Sequence, residues 1–119
     1  RKDYIMKYEV YHNAFGDKDV HVANVEIAGY VPVMKALEEC FRKTNNIEGS
    51  WSKGPTFEFK GETFDNSDYS ENVEVVKPLL VKDGVEWGHR STSVGDYVIV
   101  DGVKYKCDMV GWTVEEVAA

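Results

Sequence analysis

The stretch from His89 to Trp112, HRSTSVGDYVIVDGVKYKCDMVGW, decides how the chain is to be read. Asp101-Gly102, between YVIV and VKYKC, is a two-residue hairpin signal, because glycine tolerates the positive φ that a type I′ turn requires. The implied register pairs Val100 with Val103 and Val98 with Tyr105 on one face. Ile99 with Lys104 and Tyr97 with Lys106 take the other. One face is therefore wholly apolar, the pattern of a strand pair laid on a core. Ser93-Val94-Gly95-Asp96 leads into the first strand, and Gly111 and Trp112 close the unit. TVEEVAA is then a frayed tail or a short last strand.

Upstream, YIMKYEVYHN alternates: Tyr4, Met6, Tyr8 and Val10 share one parity and are all apolar, which predicts a half-buried strand. After the turn-rich AFGDKD, VHVANVEIAGY carries Val20 and Val22, then Val25 and Ile27. The change of phase predicts a bulge near Ala23-Asn24. These two runs are expected to pair antiparallel. YVPVMKALEECFRKTNN is the one clear helix, with Val33, Ala36, Leu37, Cys40, Phe41 and Thr44 on one face. Pro32 suits its first turn, and Arg42 and Lys43 complement the dipole at its end. TFEFK predicts a short strand ended by Gly61, and DNSDYS a polar loop. NVEVVKPLLVKDG is an edge strand, a bulged strand or two pieces, since Pro78 cannot donate to a ladder. Of Trp51, Trp87 and Trp112, at least two are expected in the core. The whole reads as a single α+β domain over 1–119: an antiparallel sheet of about five strands with one main helix packed on one face.

A chain of 119 residues can build a core without staples. Its two cysteines, Cys40 and Cys107, each sit in an apolar pattern, which predicts reduced, buried thiols. No apolar run approaches the ~18–20 residues that span a bilayer, so no membrane contact is expected. RKDYIMKYEV lacks the apolar region of a secretory signal, and the missing initiator Met is read as loss of a few leading residues. The net charge of −7 repels a phosphate backbone, so direct nucleic-acid binding is disfavoured. The acidity is uneven: between Phe57 and Val76 lie Glu58, Glu62, Asp65, Asp68, Glu71 and Glu74, against Lys60 alone.

Ser91 and Ser93 stand near His89, yet no Gly-x-Ser-x-Gly elbow exists. Their hydroxyls are expected to cap backbone groups ahead of the strand, and no catalytic residue is assigned. His12, His21 and His89 lack metal-ligand spacing; only His12 and His21, facing each other across the first strand pair, would offer a weak site. No metal and no cofactor is assigned. The acidic stretch has two readings. One is a solvated loop. The other is an electronegative face, its charges three to four residues apart as on a mimic of nucleic acid, with Phe64 and Tyr69 as anchors.

RSTSVGD, then YVIVDGVKYKC, then DMVGW, together resemble a pattern of small bacteriophage and mobile-element proteins, including those with a YodL-like domain. The resemblance covers Arg90 to Trp112, with Trp112 where that family more often has Phe. It implies a phage-type origin and a folding unit, and it brings no catalytic residues. The leading expectation is a non-enzymatic accessory protein in the host cytoplasm. It would bind a host protein with a basic surface through Glu58, Glu62, Phe64, Asp65, Asp68, Tyr69, Glu71 and Glu74. One alternative is a small-ligand binder or enzyme with a pocket near Trp87, His89 and Arg90, where arginine beside an aromatic would clamp an anion or nucleotide. Another is a structural virion component. The oligomeric state is left open.

Overall fold

Alternation in the first strand and the Asp101-Gly102 turn organise the molecule. A computed structural model describes residues 4–117. The elements run β1 (Ile5–His12), β2 (Val20–Ala28), α1 (Val33–Lys43), β3 (Thr56–Phe59), β4 (Glu62–Asp65), β5 (Val73–Val75), β6 (Leu80–Lys82), β7 (Val85–Trp87), β8 (Tyr97–Val100), β9 (Val103–Cys107) and β10 (Trp112–Val117). Six strands form one antiparallel sheet in the order β10-β9-β8-β1-β2-β5, while β3-β4 and β6-β7 are separate two-stranded hairpins. The fold is thus α+β and mostly β, with a wider sheet than the five strands expected. Two events widen it. The tail pairs with β9 as β10, and Pro78 divides 73–82 into an edge strand, β5, and a piece of a detached hairpin. Residues 118–119 of the tail lie outside the described residues.

The apolar parity of β1 faces the core: Tyr8 and Val10 are buried, with Val25 and Ala23 opposite them on β2. The bulge falls where Val10 pairs with Ala23 but Tyr11 pairs with His21, which makes Val22 the extra residue, one place from the expected position. Val98 and Val100 continue the same face across β8, in the register read from the sequence. The helix sets Ala36, Leu37 and Cys40 into this face. Pro32 stands just ahead of the first turn, at the N-cap, rather than in it.

The helix alone does not cover the sheet, which corrects the simple picture of one helix on one face. Eleven residues make a rod about 16 Å long and ~10 Å wide, whereas six strands span about 24 Å. Trp51, from the loop after the helix, is 1% exposed and fills part of the remainder. Trp112 packs against the same cluster and donates its indole N–H to Glu38 at 2.9 Å. The opposite sheet face carries a cross-strand ladder of rings, His21 on Tyr11 and Tyr11 on Tyr97, with Lys104 over Tyr97.

Three hairpins turn on the same chemistry. Lys60-Gly61, Asp83-Gly84 and Asp101-Gly102 each have positive φ at both residues, as type I′ turns require. Two of the three stand off the body. The Cα radius of gyration is 14.9 Å, against about 13.5 Å for a compact chain of this length. Both cysteines are free and buried. Among the described residues, no helix is long and apolar enough to cross a membrane.

Candidate functional site

The Arg-Ser-Thr-Ser-Val-Gly-Asp run ties a knot between the start of β8, the end of β1 and the end of the helix. Asp96 is fully buried and accepts the backbone N–H groups of Asn13, Ala14 and Ser93 at 2.7, 2.9 and 2.7 Å. Arg90 grips the same carboxylate with both Nη atoms, at 2.7 and 2.8 Å. It also donates to Asp17 from Nε and Nη2, at 3.1 and 2.7 Å. Phe15 lies against the guanidinium, 5.0 Å from ring centre to Cζ. Burial alone would push the Asp96 carboxyl up; the arginine and the three N–H donors outweigh it and hold it below its usual range.

Behind this pair runs a line of hydroxyls. Thr44 donates to the Cys40 carbonyl and lies 2.8 Å from Thr92 Oγ1, which lies 3.0 Å from His12 Nε2. Burial lowers His12 to about 4, against an opposing pull from Asp96. Ser91 Oγ accepts from the Asn46 N–H, and Ser93 Oγ donates to the Ser91 carbonyl. His89 Nε2 donates to the Lys77 carbonyl, so neither serine is held by it. The two serine hydroxyls serve backbone groups, the role the sequence suggested for them.

The alternative ligand residues are not brought together. His89 and Arg90 border a recess of about 220 Å³ with His12 and Asp17, but Trp87 stands outside it, 58% exposed on β7. Two carboxylates already occupy Arg90, and they repel an incoming anion. His12 and His21 lie on opposite faces of the sheet, because Tyr11, not His12, is the partner of His21. No cluster of metal-ligating side chains occurs among the described residues.

The acidic stretch is divided. Glu58 pairs with Thr63, and Asp65 with Thr56, on one face of the β3-β4 hairpin. The other face carries Phe57 opposite Phe64, and Phe59 opposite Glu62. Phe57 and Phe64 stack at 5.9 Å. Asp68 faces inward to backbone: it accepts from Ile47, Glu48 and Gly49 at 2.7, 2.9 and 2.6 Å. Those three N–H groups overcome the effect of burial and hold its carboxyl below the usual range. Glu74 accepts from Asn24 on the main sheet. Glu71 and Tyr69 are exposed. Glu58, Glu62, Phe64 and Asp65 therefore share one hairpin, while Asp68 and Glu74 are spent on the fold.

Both detached hairpins are rooted in the turn at 50–54. The buried Asn66, just past β4, donates Nδ2 to the carbonyls of Ser50 and Gly54 at 2.6 and 2.8 Å and accepts the Ser50 N–H at 3.0 Å. Past β7, the His89 N–H donates to Ser52 Oγ at 2.7 Å. A Cβ on Gly88 would strike Ser50 Oγ, so that root admits only glycine without rearrangement. The strands of these hairpins are a different matter. Phe59 is 58% exposed, Leu80 63%, Val81 64% and Val85 51%. The sequence marks Phe57 and Phe59 as a short strand but not as contact residues, and it does not mark 80–87 as a hairpin; the alternation of Phe57, Phe59 and Phe64 about Lys60-Gly61 is the signal for the first.

Comparison with protein-family models gives no match, and comparison with the curated proteins and with the solved structures gives none either.

Proposed function

We propose that the chain is a binding protein that engages another protein through its two detached hairpins, with β3-β4 supplying charge and β6-β7 supplying apolar area. One observation carries the reading: Phe59 at the tip of β3-β4, and Leu80, Val81 and Trp87 along β6-β7, are exposed on hairpins whose roots are fixed to one turn. A two-stranded hairpin is marginal by itself in water, and exposed apolar residues concentrated in this way mark contact surfaces. Tryptophan is the residue type most enriched among those that dominate binding energy. Glu58, Glu62 and Asp65 lie around the phenylalanines, which suits a partner with an apolar cleft rimmed by lysine and arginine. A phage-type origin and a host protein as target rest on the resemblance of residues 90–112.

Photocrosslinking tests it. A benzoylphenylalanine at position 59 or 87 is expected to capture the same partner from a bacterial lysate. One at Met109, exposed in the β9-β10 loop, is expected to capture none. Changing Glu58 and Glu62 to Gln and Asp65 to Asn slows capture at low salt. Equal capture from all three positions, insensitive to those changes, overturns the reading.

A further inference from the structure

At the end of the sheet away from the knot, the apolar face runs on beyond the cover that the helix provides. The result is an open groove of about 420 Å³, within the range of small-molecule sites. Met6 and Tyr8 of β1, Val100 of β8, and Val103 and Tyr105 of β9 line it, and Tyr30 to Pro32 ahead of the helix and Val33 at its start border it. Tyr4 and Tyr30 stack at 4.4 Å beside it. The groove follows from the mismatch of a short helix with a wide sheet.

Tyr8 is the telling residue. It is 3% exposed and sits in the core cluster, yet no hydrogen-bond partner for its hydroxyl occurs among the described residues. Nor is that hydroxyl sealed: the only closed-off side-chain polar atom lacking a partner there is Ser50 Oγ. Tyr8 is itself one of the residues that line the groove. A ligand that covers such a hydroxyl and offers it no acceptor leaves it unpaired, at a cost of about 1–3 kcal/mol. Burial also raises the Tyr8 pKa, with the neighbouring Cys40, Tyr105 and Tyr4 adding to the effect, so the phenol is a neutral donor at physiological pH.

We propose that this groove binds a small, neutral, largely apolar molecule with one carbonyl or hydroxyl head, which accepts a hydrogen bond from Tyr8 Oη at the floor. Among the described residues, no lysine, arginine or histidine lines it, and the one carboxylate that does, Asp101, belongs to the exposed β8-β9 turn. A charged head at the floor would be desolvated without a counter-ion. The assignment is independent of the hairpins and survives their failure as a contact surface.

Prodan, a neutral fluorescent naphthalene ketone, is the probe. Titrated with the whole chain, its emission is expected to shift to the blue and saturate at one site. Tyr8→Phe keeps the cavity and removes the donor, and weakens binding about fivefold, the worth of one hydrogen bond. Val103→Trp fills the groove and weakens it at least tenfold. Melting curves establish that both variants are folded. The naphthoate that keeps the dimethylamino group and carries a carboxylate in place of the ketone, an anionic counterpart close in shape, is expected to bind at least tenfold more weakly than Prodan. Absence of saturable binding, equal affinity for naphthoate, or unchanged affinity in either folded variant overturns the proposal.

Discussion

The β8-β9 and β6-β7 hairpins share an Asp-Gly turn with nearly the same backbone, φ 51° and 76° in one, 53° and 75° in the other. Their fates diverge. Val98, Val100 and Tyr97 of the first are buried; every residue of the second is exposed. Turn chemistry makes a hairpin in both, and the distribution of apolar residues decides whether it docks. In 97–107 the two faces separate cleanly, so one register buries one whole face. In 80–87, Leu80, Val85 and Trp87 share a face with Lys82, and Val81 lies opposite with Glu86. No single placement on the sheet would bury the apolar set and free the charged one. Such a hairpin is suited to meeting a separate surface.

The comparison breaks most severely at Asp96, the residue that holds the entrance to β8. Asp96→Ala leaves Arg90 half-paired and orphans three N–H groups, and is expected to cost about 3–5 kcal/mol, measured by urea unfolding. The β8-β9 amides should then lose hydrogen-exchange protection together with the core.

Acid probes the same knot. His12 is lowered to about 4 in the fold, against ~6.5 in an unfolded chain. The unfolded state therefore takes up the proton first, and stability falls as pH drops from 6.5 towards 4, by up to about 3 kcal/mol. Asp96, with its carboxyl lowered, contributes stability that is present above its unfolded pKa and is lost only at still lower pH. In a urea series against pH, His12→Gln should remove the slope between 6.5 and 4 and leave the acid limb.

The turns themselves give a matched pair. Alanine at Gly102 is forced into positive φ, at a cost of about 1–2 kcal/mol, and this should appear in full in the global unfolding energy. Gly84→Ala carries the same strain in open space and should leave the global midpoint unchanged, since a detached hairpin opens locally. Smallest in stability is Trp87→Ala, within about 0.5 kcal/mol by thermal unfolding. Its effect should appear instead as lost capture of a partner.

Much of the body was legible. The parity of residues 4–11, the 33–43 helix and the 97–107 register all follow from short-range periodicity. They bury the centre of each expected face: Tyr8 and Val10, then Ala36, Leu37 and Cys40, then Val98 and Val100. Tyr4, just ahead of the strand, is exposed, and Val33 and Phe41 are half-buried. Other features left no periodic trace. Glu62–Asp65 is a strand exposed along its length, so burial never imposed alternation on it. Asn66 and Asp68 were read as a polar loop, yet each holds backbone groups 12 to 21 residues away. Asp17 lies 73 residues from the arginine it binds. Partnerships of that kind are set by tertiary proximity, and an isolated Asp or Asn looks alike whether it is solvated or spent on the fold. The acidic stretch shows the result: one charge pattern in sequence became a hairpin, a loop clamp and a sheet contact.

The two thiols carry a practical corollary. Burial pushes Cys40 up to about 12 and Cys107 up to about 11, so neither offers thiolate near neutrality. A single cysteine installed at Phe59 or Trp87 would then be the one that maleimide reagents modify, and a fluorophore could be attached to either hairpin with both native thiols left in place.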